Sequence, residues 1–441
     1  MTMKLPQGVF QCLKALEQAG YPAYAVGGCV RDAFLGLTPH DYDLCTGALP
    51  EQTQAVFADR KLELTGVQHG TVGVPTDWGL VEITTFRREG GYDDNRHPDW
   101  VDFVADIESD LGRRDFTVNA MAWSPTRGLA DPYGGMADLQ NRILRTVGDP
   151  VTRFREDALR ILRGMRFAAK YRLTVEKKTL EAMTSQAGLL DCLARERVLE
   201  EVSGALPYMD AEMLGIFAPV LSAVIPELGP MVGFDQHSPH HAYDLYTHTA
   251  LVTQQVPQDL DLRWAALLHD IGKVPTFTQD ENGRGHFYGH APAGAKMAEQ
   301  LLQRLKAPGD LRSEAVTLIA EHMTKLQQDP AELKHRIARL GWDTVEKLWY
   351  LQRADLMSKG TDTPEDREYF VKERQLLDRL RQEDPCLSLS QLAVTGRDLM
   401  DLGYTGKAIG QCLQTLLDQV MEDRLPNRRE ALLEAARQNL T

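Results

Sequence analysis

The sequence lacks any long apolar run and uses cysteine sparingly. No stretch of the 441-residue chain approaches the about 18 consecutive apolar residues that indicate a membrane-spanning helix. The N-terminus has no basic region followed by an apolar run and a small-residue cleavage site. The six cysteines are scattered without a C-x-x-C pair, which indicates neither a zinc ribbon nor a disulfide framework. These absences predict a protein of the reducing cytoplasm with no membrane partner.

Positive charge is also in deficit, except in one segment. Lysine and arginine total 49 against 63 aspartate and glutamate residues, a net charge of −14, which argues against a protein that coats itself with nucleic acid. Residues 153–178 reverse the balance, with nine basic and three acidic side chains. Such a run is usually a solvated helix face, but it also suits a surface that handles phosphates.

The distribution of secondary-structure signals predicts a head followed by a helical body. Chain length favours roughly three domains. Short β-prone runs and glycine-rich turns occupy the first 150 residues, and the rest reads almost entirely as helix. Strands are predicted at Ala23–Val26, Tyr42–Cys45, Gly70–Val74 and Leu80–Phe86. Breaks at Asp149-Pro150, Pro226–Pro239 and Lys359–Pro364 predict four domains: 1–150, 151–235, 236–360 and 361–441.

A glycine turn and a pair of carboxylates stand close together in the head. Gly27-Gly28 follows a predicted strand and lets backbone approach an anion, although most such pairs are simply turns. Asp41 and Asp43 lie two apart in a predicted strand, so their carboxylates share one face. Paired carboxylates suit Mg²⁺, and the alternative is an ordinary solvated strand end. Glu82 is a weaker third candidate from an adjacent strand.

Two segments further along carry side chains suited to nucleotides. Arg113 and Arg114 precede an apolar helix, where they either bind phosphates or are ordinary surface charges, and Asn119 can hydrogen-bond a sugar hydroxyl. Later, Asp157 and Arg160 lie three apart on a predicted helix, and Arg163 continues the spacing.

An Asp–Arg pair can select nucleobases without a nucleic-acid template. Cytosine and adenine present an exocyclic amine, whereas uracil and guanine present a carbonyl in its place. A carboxylate beside a guanidinium can therefore accept C or A and reject U or G. The alternative for Asp157 and Arg160 is an intrahelical salt bridge.

Together these segments resemble the bacterial class II CCA-adding tRNA nucleotidyltransferases, a group that includes poly(A) polymerases and enzymes that add only CC or only A. Order and spacing match over residues 20–205. The matching motifs are Gly27-Gly28 through Arg31-Asp32, Asp41/Asp43, Arg113-Arg114-Asp115 with Asn119, Asp131-Pro-Tyr-Gly-Gly, and Glu156-Asp157 through Arg166. The resemblance implies an α+β fold, with a small mixed-sheet nucleotidyltransferase head on an elongated, all-helical neck and body.

The resemblance also implies a reaction and residue roles. The tRNA 3′-hydroxyl would attack the α-phosphate of CTP or ATP and release pyrophosphate. Asp41 and Asp43 would carry Mg²⁺. Gly28, Arg31 and Arg114 would hold the triphosphate and ribose. The protein template would consist of Asp157, Arg160, Arg163 and Arg166.

Three more segments resemble parts of the same enzymes. Residues 87–98 resemble the flexible loop of enzymes that add the terminal A, which favours full CCA addition over CC addition. Residues 194–201 resemble a neck motif that braces the template helix, with a salt-bridged surface helix as the alternative. Residues 361–441, which include 394–410, resemble the helical tail that holds the tRNA elbow. Simple helix termination explains the four glycines of 394–410 nearly as well.

The body contains a second constellation of ligand-type residues. His248, the adjacent His269-Asp270 and Asp355 form a complete H…HD…D set, and such ligands suit Mn²⁺, Fe²⁺, Ni²⁺ or Co²⁺. The region resembles HD-superfamily metal phosphohydrolases, in which these four residues would be the metal ligands and Lys273 also fits the pattern. His290 and His322 would extend the site to a second metal or bind phosphate. The implied activity is phosphatase or 2′,3′-cyclic phosphodiesterase action on RNA ends, and the alternative is a domain that keeps its helices without turnover.

The sequence therefore leaves alternatives to the main hypothesis of CCA addition. They are CC-adding, A-adding or poly(A) polymerase activity alone, an HD phosphohydrolase with a nucleotide-sensing head, and a non-catalytic module that holds RNA. The expected partners are tRNA, CTP and ATP, and no protein partner is implied.

Overall fold

The computed structural model describes residues 3–90, 100–239, 241–326 and 328–438. These residues form two compact units. One unit comprises Met1–Met209 and Ile216–Pro226, and the other comprises Asp210–Gly215 and Glu227–Thr441. No helix in the described ranges is long and apolar enough to span a bilayer.

A six-stranded mixed sheet forms the head of the first unit, in the order β3-β4-β2-β1-β7-β8. Its strands are β1 (Ala23–Val26), β2 (Asp43–Thr46), β3 (Thr71–Pro75), β4 (Leu80–Thr85), β7 (Ala122–Ser124) and β8 (Gly128–Ala130). Three further strands of the head lie outside this sheet: β5 (Arg87–Gly90), β6 (Trp100–Phe103) and β9 (Ile143–Leu144). The four strands expected from the sequence are all present, with ends shifted by at most one residue. The expected α+β fold is confirmed.

Apolar residues place β1 at the centre of this sheet. All four residues of β1 are buried, and it pairs antiparallel with β2 on one side and β7 on the other. β2 pairs in parallel with β4, in a register that sets Asp43 directly across from Glu82. The acidic end of β2 therefore faces solvent while Leu44 and Cys45 enter the core.

Helices surround the head sheet and form the rest of the first unit. Those of the head are α1 (Gln7–Gln18), α2 (Gly28–Phe34), α3 (Pro50–Val56), α4 (Ile107–Gly112) and α5 (Gly135–Gln140). Those that follow are α6 (Pro150–Glu156), α7 (Leu159–Tyr171), α8 (Lys177–Ser185), α9 (Arg195–Ala205) and α11 (Ala218–Val224), with the short strand β10 (Thr174–Val175) pairing with β9. The intervening helix α10 (Ala211–Ile216) belongs to the second unit except for its last residue.

One expectation about these helices is wrong. The helix starts at Asp149-Pro150 as expected, because the Asp149 carboxylate accepts the Thr152 N–H. It does not continue through Asp157, which has an extended backbone (φ −146°, ψ 104°) between α6 and α7. The Asp157 carboxylate instead accepts the N–H of Leu159 at 3.0 Å, because aspartate competes for backbone donors and favours helix boundaries. Asp157 and Arg160 therefore do not share a continuous helix.

The second unit is almost entirely helical. Its first group comprises α12 (Leu245–Gln255), α13 (Leu260–Leu268), α14 (Lys273–Thr276), α15 (His290–Arg304), α16 (Gly309–Glu321), α17 (Pro330–Leu340) and α18 (Trp342–Met357), with the hairpin β11 (Thr278–Gln279) and β12 (Gly285–His286). Its last helices are α19 (Pro364–Glu383), α20 (Gly396–Asp401), α21 (Lys407–Met421) and α22 (Arg429–Gln438), and α20 to α22 share a small apolar core.

Helix ends in this unit are fixed by side-chain caps. Asp244 and Asp259 accept backbone N–H groups at the starts of α12 and α13, and Asp329 does the same at α17. Thr363 and Asp366 form a reciprocal capping box at α19. Each such cap contributes about 1 kcal/mol to the stability of its helix.

A buried glutamate on α19 makes this part of the chain sensitive to pH. Glu373 is 1% exposed, and within the described part of the chain neither carboxylate oxygen has a hydrogen-bond partner. The nearby Tyr369 hydroxyl donates instead to the carbonyl oxygen of Leu326. Burial raises the pKa of Glu373 to about 7. The protonated form therefore stabilises the fold at low pH, and that contribution is lost as the pH rises through about 7.

We expect Glu373→Gln to stabilise the protein progressively as the pH rises from about 4.5 to about 7, and by its full amount above that range. The amide stays uncharged, so the free energy of unfolding rises by about 2 kcal/mol near pH 8.5 and changes little below about pH 4.5. Urea midpoints measured across this range test the prediction, with the exposed Glu368→Gln on the same helix as the control. Parallel stability profiles for Glu373→Gln and the wild type would contradict it.

Candidate functional site

A polar cavity of about 380 Å³ opens in the first unit. It brings together residues from the start of α2, the start of β2, the segment after α4, and α7. Its lining consists of Gly27, Gly28, Arg31, Asp41, Asp43, Arg113, Arg114, Asp115, Asn119, Asp157, Arg160, Arg163, Arg166 and Phe167. The nine head and template residues to which the resemblance assigns roles are all in this lining, whereas Glu82, the weaker third carboxylate candidate, is not.

Two carboxylates occupy one wall of this cavity. Asp43 begins β2, and Asp41 precedes that strand by two residues. Desolvation in the recess, followed by the charge of Asp41, raises the pKa of Asp43 to about 6, and Glu82 on β4 adds to the effect. Two carboxylates held this close together repel each other unless a divalent cation binds between them. Mg²⁺ suits this position because it prefers hard oxygen ligands.

The glycine turn before α2 allows a close approach of side chains. Gly27 has φ +72°, a conformation that favours glycine, and a Cβ there would lie 2.9 Å from an Arg114 guanidinium nitrogen. A larger residue would therefore displace Arg114 from the cavity.

Buried Asp110 positions both arginines after α4, and the sequence analysis missed it. Its carboxylate lies 2.9 Å from Arg113 and 3.3 Å from Arg114. Although burial opposes the shift, these two guanidinium groups hold the pKa of Asp110 below its usual value. The sequence did contain a signal for this contact. Asp110 lies three residues before Arg113 and four before Arg114, a spacing that brings a carboxylate close to both arginines at the end of a helix.

Arg31 is held by protein groups on three sides. Its guanidinium donates to Asp32, to Asn119 Oδ1 at 2.5 Å and to the Tyr171 hydroxyl at 2.5 Å. Its Cζ lies 4.1 Å from the centre of the Tyr171 ring, a cation–π geometry. Arg31 is therefore a fixed charge in the wall of the cavity and also ties α2 to α7.

The template residues on α7 are each held by a different carboxylate. Arg160 pairs with Glu156 at 2.7 Å, not with Asp157, and also donates to the Arg113 carbonyl oxygen. Arg163 pairs with Asp115 at 2.8 Å. The Asp157 carboxylate also lines the cavity, but among the described residues it forms no ion pair with an arginine.

The third arginine links α7 to α9. Arg166 pairs with Glu201 of α9 at 2.6 Å. Gly204, one turn further along α9, permits this approach, because a Cβ there would lie 2.7 Å from Arg166 Cδ. These contacts are consistent with a bracing role for the 194–201 segment.

The loop expected to resemble that of A-adding enzymes falls mostly outside the described residues. Residues 91–98 are not described, and the flanking strands β5 and β6 pair antiparallel.

We expect Asp157→Ala to weaken nucleobase selection. Loss of its acceptor removes the preference for an exocyclic amine, and one such base contact is worth about 1 to 3 kcal/mol, so incorporation of UTP relative to CTP rises about 10- to 100-fold. Competition assays with radiolabelled nucleotides measure this ratio, with the exposed Asp191→Ala as the control. Unchanged rejection of UTP would contradict the template role of Asp157.

The second unit contains a dense cluster of histidines around one aspartate. Two groups of possible metal ligands share Asp270: His248, His269 and Asp270, and Asp270, His290 and His322. Within each group the ligand atoms lie within 4.8 Å of one another. His248 comes from α12, His290 begins α15, and His322 follows α16. His269 and Asp270 follow the last residue of α13 and are not within that helix.

All four histidines are oriented in the same way. Each Nδ1 lies beside a backbone carbonyl oxygen, those of Ser358, Ala266, Phe287 and Ile319, at 2.7 to 3.2 Å. The four Nε2 atoms are buried and converge on the Asp270 carboxylate at 3.1 to 3.8 Å, and Asp270 Oδ2 also lies beside the Lys273 ammonium group. Hydrogen bonds of this kind fix the tautomer of a metal-binding histidine and leave Nε2 as the ligand atom. The donor set therefore fits one or two divalent transition metals.

Three more side chains border this centre. Asp355 of α18 lies 3.1 Å from His248 Nε2, outside both ligand groups. Lys273 lies 2.7 Å from Asp270. The ring of His241, which the sequence analysis did not single out, lies 5.2 Å from that of His248. Burial lowers the pKa of His322 to about 4, so its imidazole is neutral at physiological pH and its lone pair is free for a ligand role.

Two family models match the regions of the chain that carry these two sites. The Poly A polymerase head domain family matches residues 23–145, and the HD domain family matches residues 241–359. A CCA-adding enzyme of Levilactobacillus brevis is 34% identical over 435 residues, covering 96% of this chain and 95% of the relative. One from Bacillus velezensis is 32% identical, with the same coverage.

Solved structures show the same fold. The Bacillus stearothermophilus CCA-adding enzyme in complex with CTP superposes with a TM-score of 0.71 at 26% identity, covering 99% of this chain and 98% of that one. The Thermotoga maritima CCA-adding enzyme complexed with tRNA shares the fold with a TM-score of 0.62 at 20% identity. The chain belongs to the family of CCA-adding enzymes.

Proposed function

We propose that this chain is a tRNA nucleotidyltransferase that adds or repairs the 3′ CCA end from CTP and ATP. Family membership over almost the whole chain supports this activity. The observation that carries it is the single cavity that joins Asp41 and Asp43 to arginines and to the residues of α7. The carboxylates and the neighbouring arginines suit a metal-bound triphosphate, and the residues of α7 with Asp157 suit a nucleobase.

The roles of the residues follow from their positions in the cavity. Asp41 and Asp43 hold Mg²⁺, which neutralises developing charge on the phosphates when bound. Arg114 and Arg31 bind the triphosphate and ribose beside the Gly28 turn, and positioning with charge neutralisation supplies most of the catalysis. Asp157, Arg160, Arg163 and Arg166 select C or A.

Stepwise addition tests this proposal. Purified protein is incubated with Mg²⁺ and tRNA that lacks CCA, with CTP alone, ATP alone and then both, and the products are sized. We expect CC from CTP alone and a stop at CCA with both nucleotides. A stop at CC, addition of A only to a tRNA that ends in CC, or a long A tail would assign the chain to the CC-adding, A-adding or poly(A) polymerase alternatives.

A second activity is supported by the histidine cluster of the second unit. We propose that His248, His269 and Asp270, with Asp355 beside them, bind Mn²⁺, Fe²⁺, Ni²⁺ or Co²⁺, and that His290 and His322 complete a second metal position. The convergence of four buried Nε2 atoms on the Asp270 carboxylate supports this assignment. The site would hydrolyse phosphoesters at RNA ends, as a phosphatase or 2′,3′-cyclic phosphodiesterase. The intact carboxylate pair of the head argues against the HD site as the main activity.

The division of labour along the chain is also a proposal. Residues 1–150 bind the triphosphate, residues 151–235 select the base, residues 236–360 carry the phosphohydrolase centre, and residues 361–441 contact tRNA. We place the protein in the cytoplasm, where its six cysteines, all free, remain reduced.

A further inference from the structure

One aromatic side chain in the polar cavity of the first unit lies among three arginines. Phe167 of α7 is 5% exposed and belongs to the lining of the cavity. Its ring centre lies 5.2, 5.1 and 4.9 Å from the guanidinium carbons of Arg31, Arg163 and Arg166. All three distances fall within the about 6 Å over which an aromatic ring attracts a cation. A single ring therefore contacts one arginine of the triphosphate side and two arginines of the template.

The three guanidinium groups can lie around one ring because each of them is also paired with a carboxylate. The partners, at 2.6 to 2.8 Å, are Asp32, Asp115 and Glu201. These carboxylates offset the repulsion among three like charges. Each guanidinium group is thus held by a carboxylate of its own and by a ring that it shares with the other two.

A second ring on α7 holds one of these arginines but not the other two. Tyr171 is 6% exposed, and its ring centre lies 4.1 Å from the guanidinium carbon of Arg31. Its hydroxyl group accepts a hydrogen bond from the same guanidinium group. The other cation at this ring is Lys170, at 5.5 Å. Within the described parts of the chain, neither Arg163 nor Arg166 lies over the Tyr171 ring, because both face Phe167. Tyr171 therefore constrains Arg31 alone among the three arginines.

Tight packing keeps the Phe167 ring in place. Phe116 contacts it edge-on, with ring centres 5.9 Å apart and ring planes at 88°. Helix α7 approaches Phe116 so closely that a Cβ at Gly164 would lie 2.9 Å from the Phe116 ring. The Tyr171 ring centre lies 6.1 Å from that of Phe167 on the same helix. Because close-packed side chains transmit displacements to one another, a change of the Phe167 side chain would shift the arginines around it.

We propose that Phe167 and Tyr171 are positioning residues of the nucleotide site that act on different arginines. Phe167 orients Arg31, Arg163 and Arg166, so it affects both phosphate binding and the choice of base. Tyr171 orients Arg31 alone, so it affects phosphate binding only. Neither ring needs to touch the nucleotide for this effect. The inference rests on the nucleotidyltransferase function proposed above, in which Arg31 binds the triphosphate and ribose and the other two arginines select the base.

Nucleotide binding to the full-length protein tests this inference. Dissociation constants are measured with Mg²⁺ and without tRNA, so that no nucleotide is added to an RNA end. Isothermal titration calorimetry gives those of CTP and UTP, and displacement of CTP gives that of CMP. The preference for CTP over UTP reports base selection, and the preference for CTP over CMP reports phosphate binding. A residue with a merely structural role would weaken all three nucleotides by similar factors and leave both preferences unchanged.

The two positions should give different patterns. We expect Phe167→Leu to lower both preferences about 5-fold, or about 1 kcal/mol, the size of a cation–π contact. Tyr171→Leu should lower only the preference for CTP over CMP. Phe167→Met fills the space without a ring and should match Phe167→Leu, which repeats the test if leucine lowers the Tm. Phe167→Tyr keeps the ring and should retain both preferences.

A matched control separates the inference from the function on which it rests. Phe57 is 1% exposed and lies 5.5 Å from the guanidinium carbon of Arg60, outside the cavity lining, so Phe57→Leu should change neither preference. If the wild type binds CTP no more tightly than UTP or CMP, the proposed nucleotide site itself fails. If the wild type has both preferences and Phe167→Leu and Phe167→Met retain them, or Tyr171→Leu lowers both equally, only the inference fails.

Discussion

Replacement of Asp43 by asparagine is expected to lower the rate of nucleotide addition at least about 10³-fold, an effect of the size expected when transition-state charge stabilisation is lost. Asparagine has the same size but cannot bring a negative charge to Mg²⁺. Because Asp43 stands at the exposed end of β2 with its neighbour Leu44 in the core, the sheet register is unaffected. Single-turnover addition of CTP to tRNA that lacks CCA measures the loss.

Controls distinguish this loss from a general defect. Asp59→Asn changes an exposed carboxylate outside the cavity and should leave addition intact. Asp43→Asn should still bind tRNA and hydrolyse phosphoesters at the HD centre. Addition at near wild-type rate by Asp43→Asn or Asp41→Ala would refute the metal assignment in the head.

Replacement of Asp270 by asparagine is expected to abolish phosphoester hydrolysis and metal binding in the second unit, while CCA addition continues. Asp270 belongs to both ligand groups, so its loss affects every metal position there. Even outer-shell partners of metal ligands are worth about 10- to 100-fold in affinity or activity, and loss of a shared ligand should exceed this. Metal content by mass spectrometry and the rise of Tm on Mn²⁺ addition are the readouts.

The matched control is Asp310→Asn, at an exposed position in the first turn of α16. It should retain both metal content and hydrolysis. Full metal content in Asp270→Asn would contradict the assignment of the cluster, and loss of CCA addition along with hydrolysis would contradict the independence of the two sites.

Local patterns predicted the head sheet well because its strands are short, apolar and bounded by turns. The ends of Ala23–Val26 agree with those of β1, and Tyr42–Cys45 is displaced from β2 by one residue. The break at Asp157 was missed, because helical periodicity continues on both sides while a single side-chain bond to Leu159 N ends the first helix. The free-energy difference between this hydrogen bond and a continued helix is small, and the spacing of apolar residues does not reveal it.

The candidate sites were predicted where one motif carries the chemistry and missed where partners come from distant segments. The sequence alone shows two such motifs, the pair Asp41 and Asp43 and the adjacent residues His269-Asp270. Glu201 meets Arg166 across 35 residues, and His248 meets Asp355 only because α12 packs beside α18. Long-range packing of this kind has no local signature in a single sequence.

The central claim is that the protein alone, without a nucleic-acid template, selects C and then A. The most direct measurement gives the purified protein Mg²⁺, tRNA that lacks CCA and all four nucleoside triphosphates together, and then sequences the 3′ ends of the products. The account predicts ends that read CCA and extend no further. Ends that contain U or G at the frequency of their supply, or a run of A without the preceding CC, would contradict it.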